Sequence, residues 1–262
     1  MGIRFASLGS GSEGNSLLVE ARSGSTVTRV LLDCGFSLKE TERRLQRLAV
    51  ELHQLDAVLI THEHSDHIGC GVTLARRAAI PIYMSWGTSQ AIKTTASVLE
   101  QVDLRMCTNA APIGLGDLQI LPYTVPHDAR EPLQFTFTDG ATRLGVLTDI
   151  GAGTPYVTQV LNACDALVLE CNHDKQMLAQ SRYPNSLKAR IGGSHGHLSN
   201  EAAAEILTSL NRSRLRHVVA AHLSRQNNTA VLAAEALAGV LGAEPAAVVI
   251  ADQEQGFSWL QA

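Results

Sequence analysis

Apolar and polar positions alternate early in the chain. Ile3-Arg-Phe-Ala-Ser-Leu8 reads as a strand, and Leu17–Glu20 and Arg29–Asp33 follow as strands around the turn Ser23-Gly-Ser25. Between the first two lies the glycine- and serine-rich loop Gly9-Ser-Gly-Ser-Glu-Gly-Asn15, which lacks the spacing of a P-loop or a dinucleotide fingerprint. Its composition suits either a phosphate cradle or a hairpin connection on the rim of a site. From Ser37 to Leu48 the period becomes helical, with Leu38, Leu45 and Leu48 inward and Glu42, Arg43, Arg44 and Arg47 on a solvated face. After the apolar run Leu55–Ile60, a helix is expected from Ile68 to Ala79, with Ser65 as its N-cap. A strand at Ile82–Met84 and a helix over Ser89–Glu100 come next. Short strands then recur at Leu118–Leu121, Leu133–Phe137, Arg143–Leu147 and Ala166–Glu170. The last third carries helices at Asn200–Leu210 and Thr229–Leu241, strands at Val218–Ala221 and Ala247–Ile250, and a closing strand at Gly256–Leu260.

Strands followed by helices occur twice, in two halves of similar size, without an internal repeat or a long linker. That order suits an α/β (α+β) architecture of two sheets packed face to face with helices outside. At 262 residues the chain can bury a sizeable core, and residues 1–262 are read as one domain.

Composition narrows the function classes. Apolar residues at 45% and charged residues at 18% are ordinary for a soluble globular enzyme. A formal charge of −4 excludes a protein that coats nucleic acid through a basic surface, so any polyanion must be held locally. Five cysteines, odd in number and without a C-x-x-C, argue against a disulfide framework and for a reducing compartment. No apolar run approaches a membrane span and no signal-peptide pattern opens the chain, so a cytoplasmic location is expected.

The chemistry concentrates in Thr61-His-Glu-His-Ser-Asp-His67, where His62, His64, Asp66 and His67 form an H-x-H-x-D-H cluster. A buried imidazole needs a hydrogen-bond partner and a buried carboxylate a counter-charge. A divalent metal ion meets both needs. Nitrogen and oxygen donors without thiolates suit Zn²⁺, Mn²⁺ or Fe²⁺ and leave room for a water ligand. In an extended loop His62 and His64 point the same way, while Asp66 and His67 sit a step further on, within reach of a second ion. Further ligands are expected at strand ends: His127 after Leu121–Pro126, Asp149 after Leu144–Leu147, and His222 after Val218–Ala221. One ion would take His62, His64 and His127, the other Asp66, His67 and His222, with Asp149 bridging them. Asp33 ends its strand just before Gly35, placed either to orient the histidine loop or to cap a turn.

In type and order, the Asp33 strand, His62-x-His64-x-Asp66-His67, His127, Asp149 and His222 resemble the metallo-β-lactamase superfamily. The resemblance implies an αββα four-layer sandwich with the metals at the edge between the two sheets. That superfamily holds lactamases, glyoxalase II, lactonases, phosphodiesterases and nucleases, so fold does not choose the reaction.

Later stretches discriminate. Glu170 ends a strand, His197 precedes a helix that Ser199 or Asn200 can cap, and His222-Leu-Ser-Arg-Gln-Asn-Asn228 offers hydroxyl, guanidinium and amide donors. More distantly, this layout is similar to ribonuclease Z, which implies that Glu170 orients His197 and that His197 acts as general acid. It departs from that enzyme in placing Arg225 three residues after His222, and in showing no tRNA-grasping arm. Gly-Ser-Gly-Ser-x-Gly-Asn, Glu-x-Asn-His-Asp, Tyr-Pro-x-x-Leu-Lys-x-Arg-Ile, Gly-His-Leu-Ser-Asn and His-Leu-Ser-x-x-Asn-Asn together resemble the YycJ/WalJ-like metallo-hydrolases. That resemblance implies an exonuclease acting on DNA from 5′ ends.

In this reading a hydroxide shared by two divalent ions, Zn²⁺ or Mn²⁺, attacks phosphorus in line. Asp66 ligates and steers the proton, His197 held by Glu170 protonates the leaving oxygen, and Ser224, Arg225, Asn227 and Asn228 hold phosphates. Blander readings stand beside these. Glu170 and His197 suit an ordinary buried salt bridge, and Lys188 and Arg190 either grip phosphate or face solvent. His173 and His195 read as hydrogen-bonded loop histidines, and Cys70 as the small residue that lets a helix pack close. The competing functions are a small-molecule (cyclic) phosphodiesterase, favoured by only 4% aromatic residues, a thioester or lactone hydrolase, and a non-enzymatic scaffold.

Overall fold

A computed structural model describes residues 2–92 and 99–262. Two seven-stranded sheets carry the fold. The first contains β1 (Gly2–Gly9), β2 (Ser16–Ser23), β3 (Thr26–Leu32), β4 (Ala57–Leu59), β5 (Ile82–Ser85) and β6 (Leu104–Cys107) in chain order. The closing strand β14 (Phe257–Gln261) returns to pair with β1. The second contains β7 (Ile113–Leu115), β8 (Leu118–Thr124), β9 (Leu133–Thr138), β10 (Arg143–Leu147), β11 (Ala166–Glu170), β12 (His217–Ala221) and β13 (Val248–Ile250), also in chain order.

Each sheet begins antiparallel and becomes parallel, at β3/β4 in one and β10/β11 in the other. Parallel neighbours need crossover connections. In the first sheet these carry α1 (Leu38–Arg47), α2 (Ser65–Ile68), α3 (Gly71–Ala78) and α4 (Trp86–Ala91). In the second they carry α5 (Pro155–Leu161), α6 (Lys175–Gln180), α7 (Asn185–Ile191), α8 (Asn200–Ser209) and α9 (Ala230–Leu241).

Three apolar layers hold this arrangement. Between the sheets lie Phe5, Val19, Val30, Phe135, Phe137, Val146 and Val168. Leu18, Leu31 and Ile60 face the other way, against Leu45 of α1 and Leu74 of α3. On the far side Leu147, Leu167 and Leu169 meet Val157, Ile206, Leu207 and Leu237. Successive residues such as Leu18 and Val19 thus serve different layers, as strands buried on both faces require. The αββα sandwich is the observed fold.

Several expected boundaries move. Ser65 is the first residue of α2, and His64 stands at the N-cap without a side-chain bond. The helix expected from Ile68 to Ala79 is interrupted at Gly69 and Cys70. Gly69 has φ +30, and a Cβ there would lie 2.3 Å from the Cys34 carbonyl. The interruption lets the histidine loop close on the strand-end loop, with Cys34 N donating to His67 O at 2.7 Å and Cys70 N to Cys34 O at 3.0 Å. Helix α4 starts at Trp86, capped by Ser85, earlier than the expected Ser89; residues 93–98 of that expected helix lie outside the described residues. Arg44, expected on the solvated face of α1, is buried and donates to Leu8 O at 2.7 Å and Gln253 O at 3.0 Å. Its guanidinium lies over the Phe36 ring, so the stem and the charge are both satisfied inside.

Candidate metal centre

The carboxyl ends of β3, β4, β10, β11 and β12 converge on one edge, where open α/β sheets bind ligands. Asp33 (φ 59), Asp149 (φ 50) and His222 (φ 56), just past β3, β10 and β12, all adopt the left-handed conformation. For a residue with a Cβ this costs on the order of 1–2 kcal/mol. Such residues persist where surrounding contacts over-determine them, which is common at functional sites.

Asp33 orients the histidine loop. Its Oδ1 accepts from Thr61 N at 2.8 Å, and its Oδ2 faces His67 Nδ1 at 2.8 Å. A carboxylate on Nδ1 fixes the imidazole so that Nε2 points inward. His62, His64 and His127 place one donor atom each within 4.8 Å of one another, and Asp66, His67 and His222 do the same. Asp149 lies between the two triples, with Oδ2 at 2.9 Å from His67 Nε2 and Oδ1 at 3.3 Å from His222 Nδ1. His127 is turned by its own outer bond, Nδ1 donating to Gly196 O at 3.0 Å.

Beneath His222 and Asp149 lies Glu170, fully buried at the end of β11. Its Oε1 accepts from His197 Nδ1 at 2.7 Å and faces His222 Nδ1 at 3.1 Å. Its Oε2 accepts from the backbone of Ile150 at 3.0 Å and Leu198 at 3.1 Å. His197 therefore presents Nε2 to the cleft. The structure brings together all seven expected ligands and the Glu170/His197 pair.

Charge is arranged accordingly. Burial would raise the Asp149 carboxyl, yet His222 and His67 hold it well below the usual carboxylate range. Burial also opposes charge on His222, but Asp149, Asp66 and Glu170 outweigh it and push the imidazole up to about 10. His67 rises against burial through Asp149 and Asp33. His62 goes the other way: burial and the neighbouring His67 charge keep it well below its ordinary value. Burial lowers His197, and the Glu170 carboxylate more than compensates; Glu170 itself is held near 2 against burial by His197 and His222.

Three atoms test whether this set suits a cation. His127 Nε2, Asp149 Oδ2 and His222 Nε2 are buried, face the cluster and lack a hydrogen bond of good geometry, although Asp149 Oδ2 sits 2.9 Å from His67 Nε2. Unsatisfied buried acceptors of this kind are costly in apolar surroundings, and a divalent ion satisfies them. The donors are nitrogen and oxygen throughout, so the residues fit such ions.

The cleft over the cluster measures about 340 Å³. Ser12, from the Gly9–Asn15 loop, and Arg190, from α7, reach it, whereas Ser224, Arg225, Asn227 and Asn228 do not line it. The polar groups of these four residues are engaged elsewhere. The Asn228 amide is spent on Cys171 O at 2.7 Å and on a reciprocal pair with Asn200 at 2.8 and 2.9 Å. Asn227 is buried with its Nδ2 on Ser224 Oγ. Arg225 pairs with Glu13 at 2.8 Å and Glu254 at 3.0 Å. Ser224 and Arg225 line a separate hollow beside β13.

Two contributors were missed. Asn15 sets its Nδ2 at 3.1 Å from His67 Nε2. Asp128 faces the first triple, and its only sequence signal is that it directly follows His127. His173 is not hydrogen-bonded through Nδ1, which is buried and unpartnered. Cys70 packs as a small buried residue, with Thr41 Oγ1 at 3.5 Å from its sulfur.

Residues 28–222 match the family model of the β-lactamase superfamily domain. The chain is 35% identical over 243 residues to exodeoxyribonuclease YycJ of Bacillus anthracis, covering 92% of this chain and 90% of that protein. It is 34% identical over 238 residues to exodeoxyribonuclease WalJ of Streptococcus pneumoniae, covering 89% and 86%. Among solved structures, the metallo-β-lactamase fold protein YhfI from Bacillus subtilis matches over 100% of both chains with a TM-score of 0.75 at 19% identity, a likeness of fold alone. Identity at this level across most of the chain agrees with the topology and the histidine loop: this protein belongs to the metallo-β-lactamase superfamily of hydrolases, among its YycJ/WalJ-like members.

Proposed function

We propose that the protein is a two-metal phosphodiester hydrolase that degrades DNA as an exonuclease from 5′ ends. The observation that carries this reading is the Glu170–His197 pair, bonded at 2.7 Å and set beside the histidine–aspartate cluster. A thioester's thiolate leaves without a dedicated proton donor, whereas a departing sugar oxygen needs one. The exodeoxyribonuclease names of the two relatives support the same choice.

In this account His62, His64 and His127 hold one divalent ion, Zn²⁺ or Mn²⁺. Asp66, His67 and His222 would hold the second, and Asp149 has an oxygen near His67 and His222. Bound there, the ions supply a nucleophile at neutral pH by acidifying water and draw charge from a phosphoryl oxygen. The protein does the rest. Asp33 and Thr61 fix the imidazole of His67. The Asp66 carboxylate, held low and facing His222 Nε2 at 3.6 Å, is placed to accept the nucleophile's proton. Glu170 keeps His197 protonated at Nδ1 and charged, so that its Nε2 proton passes to the departing 3′ oxygen, a contribution on the order of 10²–10⁴ in rate.

A second reading, a phosphodiesterase for small or cyclic phosphodiesters, is favoured by the confined volume of about 340 Å³ over the cluster. The two are separated by incubating the Mn²⁺-loaded protein with 5′-phosphorylated and end-blocked DNA and RNA, single- and double-stranded. Stepwise shortening of DNA from the 5′ end, lost in Asp66→Ala and His197→Ala, is expected. Hydrolysis of bis-p-nitrophenyl phosphate with every polymer left intact would transfer the assignment to the small substrate.

A further inference from the structure

Asp128 is held in an unusual place. The outer nitrogen of its neighbour His127, Nδ1, is already taken by Gly196 O at 3.0 Å. Asp128 instead turns to the inner side: its Oδ1 lies 3.4 Å from His127 Nε2 and 3.9 Å from His64 Nε2. Of these nitrogens His127 Nε2 would face a cation, whereas His64 turns its Nδ1 that way, 2.9 Å from His62 Nε2. The other carboxylate oxygen is fixed by Arg190, whose Nε donates to Oδ2 at 2.6 Å. Arg190 comes from the last turn of α7 on the opposite wall, with its side chain 63% exposed. A mononegative group of two oxygens thus bridges a guanidinium and the open face of the first triple. That is the shape and charge of a phosphodiester's two non-bridging oxygens, and a guanidinium fork suits either group.

We infer that Asp128 and Arg190 form the seat of the substrate's scissile phosphate, with the Asp128 carboxylate standing in for that phosphate in the free protein. The inference rests on the phosphodiesterase reading above and adds to it the residues that select the anion. On binding, the phosphate takes the Arg190 guanidinium and the face of the triple, and Asp128 swings into solvent, where it is already 29% exposed. An ion pair this exposed contributes little, so giving it up costs little. No bond is made or broken in this exchange.

The test measures binding without turnover. Inorganic phosphate is titrated calorimetrically into the Mn²⁺-loaded chain and into Asp128→Asn, Arg190→Gln and the double variant, with Mn²⁺ affinity and thermal midpoint measured for each. Asp128→Asn is expected to bind phosphate about two- to fivefold more tightly, the fold-change that matches release of an exposed pair. Arg190→Gln is expected to bind at least about tenfold more weakly, as loss of a charged hydrogen bond implies. In the double variant the gain from Asp128→Asn should be smaller than in the single variant, because no guanidinium remains to be freed. Mn²⁺ affinity should be unchanged throughout. Weaker phosphate binding in Asp128→Asn, or unchanged binding in Arg190→Gln, overturns the inference. So does a tenfold loss of Mn²⁺ affinity in Asp128→Asn, which would make Asp128 a metal ligand. If the phosphate pattern holds and no phosphodiester is cleaved, the proposed function fails and the seat stands; cleavage without the pattern gives the reverse.

Discussion

Replacing Glu170 with glutamine keeps the shape of a buried side chain and removes only its charge. The carboxylate faces four N–H groups, those of His197 Nδ1, His222 Nδ1, Ile150 and Leu198. A glutamine carbonyl can continue to serve the two backbone donors, which leaves its NH₂ facing the imidazoles. His197 Nδ1 must then accept, its remaining proton sits on Nε2, and the ring is neutral. A neutral imidazole is a very poor acid. Each charged hydrogen bond lost is worth about 1.5–3 kcal/mol, and loss of general acid catalysis is expected at 10²–10⁴ in rate, about 2.7–5.4 kcal/mol.

The assay compares kcat on a DNA phosphodiester with kcat on bis-p-nitrophenyl phosphate, whose leaving group departs without a proton. Metal content is measured in parallel because Glu170 also faces His222. The DNA rate should fall at least about a hundredfold while the p-nitrophenyl rate stays within about tenfold. In the wild type the DNA rate should decline as pH rises through the raised His197 pKa, and in the variant that decline should move to lower pH. Equal losses on both substrates at full metal content would refute the assignment of His197 as the acid.

Asp33→Asn should weaken metal binding about 10- to 100-fold through misorientation of His67, with little change in thermal midpoint; competition with a chelating dye reads the affinity. Because His222 is pushed up to about 10, a cation must displace its proton, so metal affinity should climb with pH from 6 towards 10; a flat titration would contradict the ligand set. Away from the site, Glu20 is buried among Arg4, Arg22 and Arg29 at 2.6, 2.6 and 2.8 Å. Burial would raise its carboxyl, but these bonds hold it near 2 against an ordinary 4.5. A depressed carboxyl stabilises fully above the ordinary value and loses that contribution as pH falls towards 2. Glu20→Gln should therefore flatten the urea-midpoint profile between pH 4.5 and 2, where the wild type declines.

The histidine–aspartate cluster is legible because its chemistry is local. Three imidazoles and a carboxylate between residues 62 and 67 have few structural uses, and His127, Asp149 and His222 each end a recognisable apolar run. Asp33 was legible only as a choice between orienting and capping, since that depends on where Thr61 and His67 fall in space. Asp128 and Arg190 lie 62 residues apart, and the helix bearing Arg190 buries none of its residues, so no apolar period marks it. The same holds for α6, which buries Leu178 alone. Residues 224–228 lie away from the cleft for a reason that residue type does not carry. Hydroxyl, amide and guanidinium groups beside a ligand look like substrate donors, but residue type does not reveal whether they are already spent on Cys171 O, Asn200, Glu13 and Glu254. Arg44 was misplaced because a long stem can carry a charge inward to backbone carbonyls.

The proposed hydrolysis of a phosphodiester at the histidine–aspartate cluster requires two divalent ions. It is tested most directly by titrating Mn²⁺ into chelator-treated protein while following release of mononucleotide from 5′-phosphorylated DNA. Activity should appear only as the second equivalent binds, and His64→Ala and His222→Ala should each bind one equivalent and release nothing. Full activity at one equivalent, or in the chelated protein, would contradict it.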